Sequence, residues 1–257
     1  MMKKITNKKM GIVALTAILL YAMIVFPIPF VAAHHTPEHS GGPGGSPADT
    51  ATPITDCDEE NPIRPESGDD PVVVDGDVRV KDGRSCMIDS TFADITITGD
   101  VIAGQGSTLE ISSPLMSGPI VHIQGDVKTN GGNMVTIMGN TGIIPNDASD
   151  DVLVKIDGSV QITNTLNGIQ VAWADIGGDA QFDSNMEYYS ITHSQIDGSV
   201  QVKNNQSSYD PNIYNNFAGN TIGKNLQCSG NDNAPVAYMY GLNIVSGKAQ
   251  GQCSTLV

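Results

Sequence analysis

The sequence predicts an all-β chain, a right-handed parallel β-helix (solenoid) of about eight coils. Three observations carry this. The pentad apolar-x-Gly-x-apolar recurs through the last two thirds of the chain, IDGSVQ being written twice at 156–161 and 196–201. The residues around each copy alternate short Val/Ile/Thr-rich runs with Gly and Asn, and no helical periodicity of useful length interrupts them. Asp-Gly falls inside these apolar pentads rather than between two strands, which argues against a hairpin meander.

The N-terminal residues 1–33 read as a signal peptide or N-terminal anchor. MMKKITNKKM carries four lysines and no acid, GIVALTAILLYAMIVF is apolar and uncharged, and Val31 and Ala33 are small residues placed for cleavage. An uncleaved anchor is the alternative, and the only route to a membrane. The exported remainder has nine basic residues against 28 acids, hence a formal charge of −19. Such a surface repels phosphate backbones, which excludes nucleic acid as a partner.

Residues 34–70, HHTPEHSGGPGGSPADTATPITDCDEENPIRPESGDD, form a Pro/Gly-rich acidic stretch with little to bury, expected to be a flexible linker. The β-helix domain is expected over 71–257. Its pentads centre on Gly76, Gly99, Gly125, Gly158, Gly178 and Gly198, then on Lys224 and Gly247 in two degenerate copies. The separations are 23, 26, 33, 20, 20, 26 and 23 residues. A unit this short cannot bury an apolar face alone; stacked on neighbours it can. At the parallel-strand spacing, eight coils make a rod about 40 Å long.

Two apolar columns follow from the register. One runs Val74, Ile97, Ile123, Ile156, Ile176, Ile196, Ile222, Val245. The other runs Val78, Val101, Val127, Val160, Ala180, Val200, Leu226, Ala249. The central glycines share their parity and are expected to face inward at a tight bend. Residues 141–151 and 204–217 read as loops thrown out from the coils. Asn130, Asn164, Asn185, Asn204 and Asn231 are expected at corners, where stacked amides can hydrogen-bond along the rod.

Four cysteines in an exported chain imply two disulfides. Three connectivities are open. Proximity in sequence favours Cys57–Cys86 and Cys228–Cys253, one staple at each end of the rod. Adjacent coils bring the second pair together only with a bend, because the two cysteines sit four and six residues past their pentad centres.

The repeats IDGSVQI and ITGDVIA resemble those of the right-handed parallel β-helix superfamily, which includes pectate lyases, polysaccharide hydrolases and passive surface rods. They also resemble the coils of bactofilins, bacterial filament formers. The tail NTIGKNLQCSGNDNAPVAYMYGLNIVSGKAQGQC is similar to the ending of exported microbial β-helix proteins of undefined function, a resemblance that implies no activity. The lyases imply clustered acids holding Ca²⁺ and a basic residue as catalyst. Asp77, Asp100, Asp126 and Asp179, with Ser159 between the last two, stand in one column; stacked carboxylates either hold a cation or form a solvated acidic face, and the second is favoured. The only arginines are Arg64, Arg79 and Arg84, so an arginine-based site in the middle of the rod is excluded; Lys128, Lys155 and Lys203 are scattered one per coil.

Other candidates are thin. Gly68–Asp70 and the pair Asp150–Asp151 read as linker and turn. His122 and His193 read as isolated surface residues. His34, His35 and His39 would place an imidazole at a mature N-terminus cut after Ala33, where amine and ring can chelate Cu²⁺; an incidental His-rich linker is the favoured reading. Asn205-Gln206-Ser207 is a glycosylation sequon. Trp173, Tyr188, Tyr189, Tyr209, Tyr214, Tyr238 and Tyr240 offer a sugar-stacking strip or core packing. Serine-nucleophile, phosphate-loop and dinucleotide motifs are absent from the sequence. No catalytic residue, metal ligand or cofactor is assigned. The expected function is an exported, non-enzymatic β-helix rod, structural or adhesive, at the cell surface or secreted, with surface glycans or the cell envelope as partner. The alternative is a carbohydrate-active enzyme or glycan-binding module of the pectate-lyase-like type.

Overall fold

Each pentad lies directly on the next. The computed structural model describes residues 53–68, 70–113, 118–139, 154–206, 215–238 and 240–257. Among these there is no helix, and every strand pairing is parallel. The expectations placed on residues 1–52, on 141–151 and on 207–214 lie outside the described residues. They include the leader, the His34/His35/His39 group, Asp150–Asp151, Tyr209 and Tyr214.

The chain winds through three sheets. Sheet A has nine strands, from Ile54–Cys57 to Ala249–Gly251; sheet C has eight, from Val72–Val74 to Ile244–Val245; sheet B has six, from Ser85–Asp89 to Asn216–Ala218. A typical coil runs from C through the pentad corner to A and then to B. The strands are two to five residues long because a corner follows each one.

Both predicted columns form as expected. In sheet C the register passes from Val74 through Ile97, Ile123, Ile156, Ile176, Ile196 and Ile222 to Val245. In sheet A it passes from Val78 through Val101, Val127, Val160, Ala180, Val200 and Leu226 to Ala249. Inner positions are fully buried from Ile97 to Ile222. Each buried Ile or Val contributes about 1.5–3 kcal/mol relative to exposure. Sheet B adds a third wall: Ile88, Ile111, Ile137, Val171, Ile191 and Phe217 stack in turn.

The pentad glycines leave no room for a Cβ, as expected, but the obstruction is not the core. Gly76 and Gly198 are buried, and Gly99, Gly125, Gly158 and Gly178 are half-buried at the corner. A Cβ on Gly158 would come within 2.5 Å of the Gly125 carbonyl oxygen and closer still to Asp126 Oδ1. The excluded space therefore lies along the rod axis, against the coil below. There the Gly158 N–H donates to Gly125 O, one rung of a chain that links Gly76 to Gly247. Glycine is required because the coils approach this closely.

The solenoid starts before residue 71. Ile54–Cys57, in the stretch read as linker, pairs with Asp77–Val80, and Ile63 bridges Ile88. Both cysteine pairs are bonded as the positions favoured. Cys57 and Cys86 join the first two coils with Cα atoms 5.4 Å apart, and Cys228 joins Cys253 across 5.2 Å. The anticipated bend is at Gly251: it stands opposite Cys228, takes a φ of +67°, and turns the chain so that Cys253 returns over its partner. Leu256 then folds onto the last coil, where the Asn243 N–H and side-chain amide both donate to its carbonyl. The described ends of the expected loop at 204–217 are coil as well: Asn204 and Asn205 form a corner and Asn216–Ala218 is a strand.

Candidate functional site: the corner ladders and the glutamine face

The acidic column is a hydrogen-bonding device. At the corners centred on Gly76, Gly99, Gly125, Gly158 and Gly178, the side chain after the glycine is aimed along the rod, where the next coil presents a backbone N–H. Asp100 N–H donates to Asp77 Oδ1 at 2.9 Å, Asp126 N–H to Asp100 Oδ1 at 2.8 Å, and Ser159 N–H to Asp126 Oδ1 at 2.7 Å. Ser159 continues the series by accepting from Asp179 N–H, and Asp179 Oδ1 accepts from Ser199 N–H at 2.7 Å. Corner N–H groups outside the regular ladder would otherwise lack an acceptor, and charge-assisted bonds of this kind are about twice as strong as neutral ones.

Two of the stacked carboxylates share one cation. Lys128 Nζ lies 2.8 Å from Asp100 Oδ2 and 2.8 Å from Asp126 Oδ2. These bonds, first to Asp100 and then to Asp126, push the ammonium above its usual range. Burial by itself would raise Asp126; the hydrogen bonds from Lys128 and from the Ser159 N–H outweigh it and hold the carboxyl low. The repulsion expected of neighbouring carboxylates is thus relieved by a side chain of the next coil. On sheet C, His122 Nε2 and Lys155 Nζ converge on Asp157 at 2.8 and 3.3 Å. His122 is therefore not isolated.

Asparagines form two buried ladders. In the first, Asn185 Nδ2 donates to Asn205 Oδ1, Asn205 Nδ2 to Asn231 Oδ1, and Asn231 Nδ2 to Gln252 Oε1, at 2.9, 3.0 and 2.9 Å. Each amide also serves the main chain of adjoining coils. Asn185 and Asn231 are as expected, but the member between them is Asn205, not Asn204. Asn164 and Asn204 occupy the neighbouring exposed corner with φ of 56° and 53°, and Asn130 sits one position earlier, accepting from Asn164 Nδ2 at 2.8 Å. The second ladder, Ser194, Asn220 and Asn243, turns the corner between sheets B and C. Asn205 is also the sequon asparagine; its amide is fully buried and bonded, so the folded chain gives a glycosylating enzyme no access to it.

Among the described residues the aromatics do not make one strip. Tyr189 is a core residue, and Tyr188 packs over Gly168. Trp173 and His193 occupy successive corners with φ of 50° each, their rings stacked 5.1 Å apart, and Tyr240 meets His193 edge-on at 4.6 Å. Desolvation in this sandwich lowers the His193 pKa. Of the arginines, Arg64 pairs with Asp89 at 3.1 Å, and Arg84 lies among Asp58, Glu59 and Glu60 near the N-terminal end of the solenoid. Among the described residues no group of three or more His, Cys, Asp or Glu is placed to hold a metal ion.

The most regular exposed feature is one that the periodicity of apolar residues did not single out. On the outer face of sheet A, Gln161, Gln181, Gln201, Gln227 and Gln250 stand in direct register on five successive coils. Each follows a member of the second apolar column, so pleat alternation turns it outward. The recurrent pairs Val-Gln, Ala-Gln and Leu-Gln were the available signal. Ser159, Gln161, Asp179, Gln181, Ser199 and Gln201 line a shallow depression of about 110 Å³ there. Fold and surface together define a parallel β-solenoid with stapled terminal coils and one amide-lined face. No family model, no curated protein and no solved structure matches the chain.

Proposed function

We propose that the chain is an exported, non-enzymatic β-solenoid rod, a structural or adhesive element at the cell surface or in the extracellular matrix. The supporting observation is the use made of the repeated acids: Asp77, Asp100, Asp126 and Asp179 each accept a backbone N–H of the next coil, and Lys128 neutralises two of them. These groups hold coils together: each carboxylate commits one oxygen to the neighbouring coil, and those of Asp100 and Asp126 commit the second to Lys128. The disulfides at the first and last coils accord with an oxidising compartment and limit fraying where a solenoid is weakest. Incubating the chain with polygalacturonate and with neutral polysaccharides, then assaying reducing and unsaturated ends, tests the reading. Release no greater than the buffer control is expected; sustained turnover would overturn it.

A further inference from the structure

Resting on the reading as an adhesive rod, the geometry points to the glutamine face of sheet A as the binding site for a single extended chain of a neutral, hydroxyl-bearing polysaccharide. A primary amide offers two donors and an acceptor oxygen, which suits a hydroxyl in either role. Five such amides repeat at the strand spacing of about 4.8 Å, making a track about 20 Å long. Among the described residues the side chains of Gln161, Gln181, Gln227 and Gln250 have no hydrogen-bond partner. Gln201 is steadied by Lys203 Nζ, which donates to its Oε1 at 2.8 Å and leaves its NH₂ free. Beside the track, Asp179 accepts a backbone N–H through Oδ1 only, so Oδ2 remains an acceptor for a hydroxyl.

Charge and size select the occupant. The five amides are neutral and the exported chain carries a formal −19, so a polyanion is repelled; of the cations beside the track, Lys128 is already shared by Asp100 and Asp126, and Lys203 donates to Gln201. A second protein molecule is disfavoured by area. With the strand spacing and rise, the track covers about 20 by 10 Å, or about 200 Å². A stable protein interface takes about 800 Å² from each partner. One slender polymer fits such a strip. The column has no aromatic ring, so recognition runs through repeated hydrogen bonds, each weak, and affinity grows with polymer length until the track is filled.

Affinity electrophoresis of the full exported chain tests this, in gels containing hydroxyethyl cellulose, galactomannan or dextran, with polygalacturonate as the charged comparison. Retardation by at least one neutral polymer is expected. The variant Gln161→Ala/Gln181→Ala/Gln201→Ala should weaken it at least about tenfold, while Gln170→Ala/Gln195→Ala, on sheets B and C, should leave it unchanged. If the triple variant unfolds, Gln181→Glu, which adds a charge at the centre of the depression, takes its place with the same expectation. No retardation in any neutral gel, retardation by polygalacturonate alone, or full retardation of the Gln161/Gln181/Gln201 variant or its substitute would overturn the site. Such a loss leaves the rod reading standing. Release of sugar ends by a chain that is retarded would overturn the rod reading and leave the site.

Discussion

Asn205→Leu should destabilise the solenoid by about 4 kcal/mol. The Asn205 amide makes four bonds, all in the interior. Its Oδ1 accepts from the backbone N–H and from Nδ2 of Asn185, each at 2.9 Å; its Nδ2 donates to Phe182 O and to Asn231 Oδ1, each at 3.0 Å. Leucine fills a similar volume but offers none of these. Asn185 Nδ2 retains Ile162 O, and Asn231 Oδ1 retains the backbone N–H of residue 205. The Asn185 N–H is left buried without an acceptor, at about 1–3 kcal/mol, and the other lost bonds add about 1 kcal/mol each. For a domain of this size that total lowers the Tm by roughly 10 °C. Thermal unfolding followed by circular dichroism reads it directly, and hydrogen exchange at Asn185 localises it. Asn204→Gly is the control: that residue is exposed, sits at a φ of +53° that glycine accepts, and gives up one bond to Asp183. A Tm for Asn205→Leu within about 2 °C of the unaltered chain, or a loss no larger than that of Asn204→Gly, would refute the ladder as a source of stability.

Gly158→Ala is expected to cost about 2 kcal/mol: its Cβ would meet Asp126 Oδ1, which can swing aside only by giving up its bond to Ser159 N–H, and the Gly125 backbone, which is fixed; chemical denaturation with an unchanged m-value checks this. Lys128→Met removes the cation shared by Asp100 and Asp126, a partly exposed cluster worth about 1 kcal/mol at pH 7. Because the fold depresses the Asp126 pKa, that stability is present above the unfolded carboxyl pKa of about 3.9 and is lost as pH falls through the folded value. The Tm difference between this variant and the unaltered chain should therefore close as pH is lowered well below about 4; a constant difference would mean packing, not charge. Replacing Cys228 and Cys253 by Ala opens a 25-residue separation and should cost about 3.5 kcal/mol, with faster hydrogen exchange concentrated in the last coil.

The sequence showed most clearly what repeats along it. Apolar side chains at fixed offsets from a glycine reveal their register because each must be buried, and a shift by one would turn the whole set outward. That logic placed all sixteen column residues, from Val74 and Val78 to Val245 and Ala249. It did not explain the acids, because the N–H groups that Asp77, Asp100 and Asp126 accept belong to residues 23, 26 and 33 positions away and converge only once the coils stack. Asn204 does take the left-handed corner position, but the buried ladder member beside it, Asn205, was not legible for a related reason: the two are adjacent, equally polar, and separated only by which side of a corner each takes. Ile54–Cys57 was passed over as linker because Thr55 and Asp56 dilute it; its place in the sheet is secured by pairing with Asp77–Val80 and by the disulfide from Cys57. The Gln161–Gln250 column was invisible to a search for buried residues since no burial drives it.

The twenty-residue spacing between Gly158, Gly178 and Gly198 makes these turns interchangeable. Excising one full turn would set the Ile156 rung beneath Ile196, offer Asp126 and Ser159 their usual neighbours one step on, and leave both stapled termini intact. Reach is consequently a quantity that duplication or deletion of a short gene segment can adjust in steps of about 4.8 Å. Chains sharing this architecture can differ in span while keeping every contact type.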